Sequence, residues 1–142
     1  APEHKFPAAV DDAFAAYKWV AQNAAEIDAD PSRIAVAGES AGGNLATVTA
    51  MRARQEGIPA PIFQLLIYPV VNNDMTTPSY QEHASAKPLD KATMQWFMGH
   101  YLSDPASGAD PHVSPLRASP DLLAQMPPAM IITAEIDPLR SE

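Results

Sequence analysis

Gly38-Glu39-Ser40-Ala41-Gly42 sets one serine at the centre of a G-x-S-x-G pattern, followed at once by Gly43. The chemistry open to such a serine is nucleophilic acyl transfer. A hydroxyl is a weak nucleophile, so it needs a base to take its proton and an acid to orient that base. It also needs N–H donors aimed at the oxygen of the tetrahedral intermediate. On a sharp strand-to-helix turn, small residues on either side let the two elements approach, and the serine Oγ stands clear above the sheet. Ser40 is therefore the candidate nucleophile and Ala41, through its backbone N–H, half of a candidate oxyanion hole. Gly38, Glu39, Gly42 and Gly43 form the expected elbow.

The acid should follow the serine in the chain, with a histidine after it. Asp137 lies just past an apolar run, where a sheet would present it at its carboxyl edge; Glu135, two residues earlier, is the rival, and pattern alone leaves both open. His4, His83, His100 and His112 all precede Asp137, so none fits the order, and the general base is expected to lie outside these residues. No spacing such as H-E-x-x-H occurs, and neither a metal nor a cofactor is expected.

These residues need a scaffold that alternates helices and strands. Val10, Phe14, Tyr17, Val20 and Ala24 recur at helical steps from Pro7 to about Asn23, with Pro7 suited to the first helical position. Ile34–Ala37 reads as a strand covered on both faces, ended by Gly38 through Gly43, with a helix running on to about Glu56. Phe63–Tyr68 reads as a second buried strand and Ala129–Ala134 as a third. Between them, a polar stretch from Asn72 to Lys87 leads to a helix around Asp90–Leu102, and a short helical turn is expected near Asp121–Gln125. The alternation predicts an α/β fold with parallel strands and right-handed crossovers. Three parallel strands with both edges open make a poor finished domain, so further strands are expected outside this sequence.

Composition narrows the partners. The 142 residues carry 9 Lys and Arg against 17 Asp and Glu, a net charge of −8 that argues against nucleic acid or an anionic lipid surface. No cysteine is present, which excludes disulfides, thiolate metal sites and cysteine nucleophiles here. No membrane span or signal peptide is visible, and a cytoplasmic location is favoured. Both ends are expected to be internal to a longer chain.

The blocks around these residues resemble the bacterial hormone-sensitive-lipase family of carboxylesterases, in the α/β-hydrolase superfamily. Pro2-Glu3-His4-Lys5-Phe6-Pro7-Ala8 is similar to its P-E-x-x-F-P-A segment, and Asp30 through Ala46 to its nucleophile block. Asp110-Pro111-His112-Val113-Ser114-Pro115-Leu116 and Pro127-Pro128-Ala129 match downstream landmarks, and Thr133 through Arg140 resembles the acid block. Glu39 stands where many members carry Asp, and Ser141 where Asp is usual.

The resemblance implies that Ser40 is the nucleophile, Ala41 an oxyanion donor and Asp137, rather than Glu135, the triad acid. It also implies that residues 1–142 are the central part of a single partial α/β-hydrolase domain. The outer strands, a Gly-rich oxyanion loop and the triad histidine would lie outside, leaving the fragment alone without meaningful activity. About residues 72–104 resemble a cap or pocket insertion over an acyl site, with Tyr80, Met94, Phe97 and Met98 as pocket candidates. Met94, Trp96, Phe97, Met98 and Tyr101 cannot all share one helical face, so they divide between packing and pocket. The expected activity is hydrolysis of short- to medium-chain acyl esters, with a small-molecule ester as partner and a homodimer of the full-length protein admitted. The alternative is a ligand-binding, receptor-like member that has lost catalysis.

Overall fold

The structure, a computed structural model, describes all 142 residues. Three strands form one parallel sheet in the order β1 (Val36–Glu39), β2 (Gln64–Ile67) and β3 (Ala129–Ile132). Glu39 pairs with Ile67 and Ile67 with Ile132, so all three strands end level with one another. The chain then turns off that carboxyl edge at Ser40, Tyr68 and Thr133. In open α/β sheets this is the edge where ligands bind.

Helix α1 (Ala8–Asn23) buries Val10, Phe14 and Tyr17 at four- and three-residue steps. Phe14 and Tyr17 pack with Ala53 of α2 (Ala41–Gln55), and Ile34, Val36, Ile58 and Ala60 close the cluster. Arg52 reinforces the α1–α2 contact, its guanidinium 4.2 Å over the Phe14 ring and 2.8 Å from Asp11. Helix α2 lies against β1 and β2, with Ala50, Met51 and Ala53 fully buried.

After β2 come α3 (Pro78–Glu82) and α4 (Lys91–Tyr101), the latter capped by Asp90, whose carboxylate accepts from the Thr93 N–H at 2.8 Å. Lys5 ties the chain start to the end of α4 by donating to the carbonyls of Gly99 and Leu102. Val70, Tyr80, Met94 and Leu139 form a second buried cluster. A short α5 (Pro120–Leu123) precedes β3.

Several expectations are corrected. Strand β1 starts at Val36 rather than Ile34 and runs on through Gly38 and Glu39, because backbone pairing with Leu66 and Ile67 needs no side chain. Strand β2 stops before Tyr68, whose φ of 35° takes it out of the sheet. Pro7 precedes α1 as its N-cap instead of starting it. Helix α3 falls in the stretch read as a polar connection; five residues with few apolar steps give no helical period. The strands are also less covered than their apolar runs imply. Met130, Ile131 and Ile132 are 55%, 60% and 44% exposed, because no helix of the chain packs closely on β3. No helix is long and apolar enough to cross a membrane.

Candidate active site

Ser40 sits between the last residue of β1 and the first of α2, with φ 52° and ψ −120°. That conformation is sparsely populated for a residue with a Cβ and costs about 1–3 kcal/mol, so the surroundings must enforce it. Three backbone hydrogen bonds do so. The Ser40 N–H donates to Ile67 O at 2.9 Å, and the Ser40 carbonyl accepts from Asn44 N at 3.2 Å and Val70 N at 3.1 Å. The serine side chain does not cap its own helix, which leaves Oγ uncommitted at the positive end of α2. The N–H of Ala41 belongs to the first turn, where backbone donors have no acceptor within the helix.

Two glycines make the turn feasible. A Cβ on Gly38 would lie 2.2 Å from the Gly42 carbonyl oxygen, and one on Gly43 would lie 2.7 Å from Pro69 Cβ. Gly42 itself has open space around its would-be Cβ, so the pinch expected at both flanking glycines is made by Gly38 and Gly43. Glu39 faces outward and accepts a 2.9 Å hydrogen bond from the Tyr68 hydroxyl, which raises the Tyr68 pKa above its ordinary value.

Ser40 and Ala41 open into a largely apolar cavity of about 700 Å³, which Met94, Phe97 and Met98 also line. Trp96, His100 and Tyr101 of α4 also line it, as do Leu45, Leu89 and Val70. Met94 is nearly buried in the core, whereas Phe97 is 48% exposed. Tyr80 does not line this cavity. It is 1% exposed within the Val70–Met94–Leu139 cluster, because α3 turns its ring inward, so its expected place as a pocket residue is corrected.

Asp137 lies elsewhere, at the carboxyl end of a groove of about 280 Å³ that runs along one face of β2 and β3, with Tyr68, Pro69 and Val71 beside it. The segment from Tyr68 to Val71 thus separates the serine from the acid. Asp137 is 8% exposed, and its Oδ1 accepts from the Leu139 N–H at 2.8 Å. Glu135 is exposed on the surface.

No histidine bonds to Ser40 or Asp137. His4 is exposed, His83 lies 3.7 Å from Glu82, and His112 contacts Asp110 and Gln55. His100 shares the serine's cavity, but its ring stands edge-on to Trp96 at 4.4 Å.

Two residues passed over in the sequence matter here. Asn44 is 6% exposed, and its Nδ2 donates to Val70 O and Val113 O, each at 2.8 Å. A polar side chain on the buried face of an otherwise small-residue helix was the signal available. Glu142 is partly buried, and its Oε2 accepts from the N–H groups of Val71 at 2.8 Å and Asn72 at 3.0 Å. Burial raises its pKa to about 7. No sequence spacing announces it, since its partners lie some 70 residues away.

The family model for the alpha/beta hydrolase fold matches residues 1–142. The chain belongs to that family. Carboxylesterase NlhH of Mycobacterium tuberculosis is 47% identical over 145 residues, a match covering all of this chain and 45% of that protein. Ethyl acetate hydrolase of Pseudomonas putida is 39% identical, covering all of this chain and 44% of its own length. The crystal structure of a thermostable esterase from Pseudomonas putida superposes with a TM-score of 0.95 at 44% identity, over 99% of this chain and 44% of that one. A hyperthermophilic esterase from Pyrobaculum calidifontis gives 0.93 at 49% identity, over 99% and 46%. The chain therefore spans a little under half the length of the relatives it matches. The family resemblance read from the sequence blocks holds over the whole chain.

Proposed function

We propose that the full-length protein is a serine carboxylesterase acting on short- to medium-chain acyl esters, with Ser40 as nucleophile. The observation that carries this reading is Ser40 itself, held at φ 52° at the head of α2 and opening into the apolar cavity. Ser40 Oγ attacks the ester carbonyl and its proton passes to a base. The Ala41 N–H donates to the developing oxyanion, the tetrahedral intermediate expels the alcohol with the proton returned by the base, and water then hydrolyses the acyl-enzyme to the carboxylic acid and free Ser40.

Asp137 orients the base through the carboxylate oxygen that Leu139 leaves unused. None of the four histidines here is bonded to either residue, so the base is a histidine from outside residues 1–142. These residues then form the central part of one hydrolase domain and have no meaningful activity alone. Residues 72–104, which include α3 and α4, act as part of a cap, with Met94, Phe97 and Met98 facing the acyl chain.

The esterase names of the relatives support the same reading. A receptor-like role has no comparable support, since a strained serine opening into a cavity and a held acid serve no binding purpose. A cytoplasmic location and a homodimer belong to the proposal for the full-length protein, and cell fractionation and sedimentation test them.

The main test is hydrolysis of p-nitrophenyl butyrate by the full-length protein. Ser40→Ala should lower kcat by at least about 10³-fold. Wild-type turnover in that variant would reject the assignment.

A further inference from the structure

Ser40 and Asp137 occupy separate cavities, and the segment that leaves β2 stands between them. Val70 faces the serine's cavity, while Tyr68, Pro69 and Val71 face that of the acid. The distance between nucleophile and acid therefore depends on how this wall is held. From the serine side, Val70 N donates to the Ser40 carbonyl. From the acid side, the next two N–H groups, of Val71 and Asn72, both donate to Glu142 Oε2.

Glu142 is in turn part of the acid-bearing turn. Its own N–H donates to Leu139 O at 3.0 Å, and the Leu139 N–H donates to Asp137 Oδ1. The hydrogen-bonded connection from Ser40 to Asp137 thus runs through backbone groups and the Glu142 side chain. Other fastenings of this turn go elsewhere. Ser79 of α3 donates to Pro138 O at 2.6 Å and accepts from Ser141 N, and Arg140 pairs with Glu82 at the surface. Neither donates to or accepts from the wall, whose only other link to this turn is apolar, Leu139 packing in the same buried cluster as Val70.

We propose that Glu142 is a positioning residue: its carboxylate fastens the Val70–Asn72 wall to the turn carrying Asp137 and so fixes the acid relative to the serine elbow. The inference rests on the esterase reading above for its catalytic consequence, but not for the clamp itself. A carboxylate suits the task because one oxygen can accept from two adjacent N–H groups at once. The arrangement is demanding. Glu142 Oε1 is buried without a hydrogen-bond partner, and the neighbouring Tyr80 hydroxyl also lacks a well-formed one.

The test compares full-length wild type, Glu142→Ala, Glu142→Gln and Glu142→Asp by amide hydrogen exchange and by p-nitrophenyl butyrate kinetics per folded enzyme. Glu142→Ala should speed exchange at Val71 and Asn72 by about tenfold or more. It should also lower kcat by about tenfold with KM within about twofold, because orientation rather than substrate binding is lost. Glu142→Gln keeps an oxygen for both N–H groups and should restore most of the protection and most of kcat. If Glu142→Ala does not fold, Glu142→Asp, one methylene too short to span the gap, should give the same loosening.

Unchanged exchange at Val71 and Asn72 in the shortened variants would overturn the clamp. So would kcat within twofold of wild type in a variant whose exchange had loosened, because the fastening would then position nothing. Loosened exchange in Glu142→Ala, together with a wild-type protein that hydrolyses no ester, would reject the esterase reading and leave the clamp standing.

Discussion

The backbone at Gly38 passes so close to the first turn of α2 that a Cβ there would lie 2.2 Å from the carbonyl oxygen of Gly42. That approach, more than the G-x-S-x-G spelling, forces Ser40 into its strained turn. Gly38→Ala should therefore cost about 3 kcal/mol or more, since the clash is with backbone that cannot step aside. Gly42→Ala meets open space within this chain and should be neutral or stabilising by up to about 1 kcal/mol, because alanine is the better helix former. Urea unfolding midpoints of the two variants distinguish these outcomes.

Asn44 bridges two segments, whose backbones also meet where the Leu116 N–H donates to Val71 O at 3.1 Å. Its Nδ2 satisfies the carbonyls of Val70 and Val113, so Asn44→Ala leaves two buried acceptors without a partner. The expected loss is about 2–4 kcal/mol. Asn44→Asp should be worse, because it sets carboxylate oxygens against those carbonyls. Thermal unfolding of both variants, with Asn44→Gln for comparison, checks the order.

Asp137 and Glu135 are separable by their surroundings. Asp137 is buried and held by the Leu139 N–H, whereas Glu135 is exposed. Asp137→Asn keeps the acceptor for Leu139 but loses the charge that steadies a protonated base, and kcat should fall by about 10³-fold or more. Glu135→Gln should leave kcat within about twofold. Steady-state kinetics on the full-length protein reads both.

Glu142 makes stability depend on pH. Burial raises its pKa from 4.5 to about 7, and the groups facing it are Tyr80 from α3 and Asp137 from its own turn. A raised folded-state pKa means that the folded chain keeps a proton the unfolded chain releases. The contribution is complete below about pH 4.5 and is lost as pH rises through about 7. Glu142→Gln should remove that slope, so that its stability relative to wild type improves between pH 4.5 and 8 by on the order of 3 kcal/mol at most. Chemical denaturation at the two pH values measures it.

What the sequence made legible follows from the range of the interactions. The strand–serine–helix turn and the faces of α1 are local patterns, and each appears in the structure near its expected place. Strand ends were misplaced because β1 and β2 are bounded by pairing partners and by the φ of Tyr68, which no local propensity encodes. Tyr80 was read by its neighbourhood in the chain as a pocket residue, but α3 points it into the core. Asn44 and Glu142 act on residues 26 to 71 positions away, and such distances leave no period or motif.

The central claim is that Ser40 is the nucleophile, and the most direct measurement is covalent. The full-length protein is treated with diethyl p-nitrophenyl phosphate, an ester that arrests on an activated serine, and the adduct is located by peptide mass spectrometry. The expected result is one phosphoryl adduct, on the peptide containing Ser40, that appears in step with loss of ester hydrolysis and is absent from Ser40→Ala. An adduct on another residue that accompanies the loss of activity, or undiminished hydrolysis with Ser40 fully modified, would contradict it.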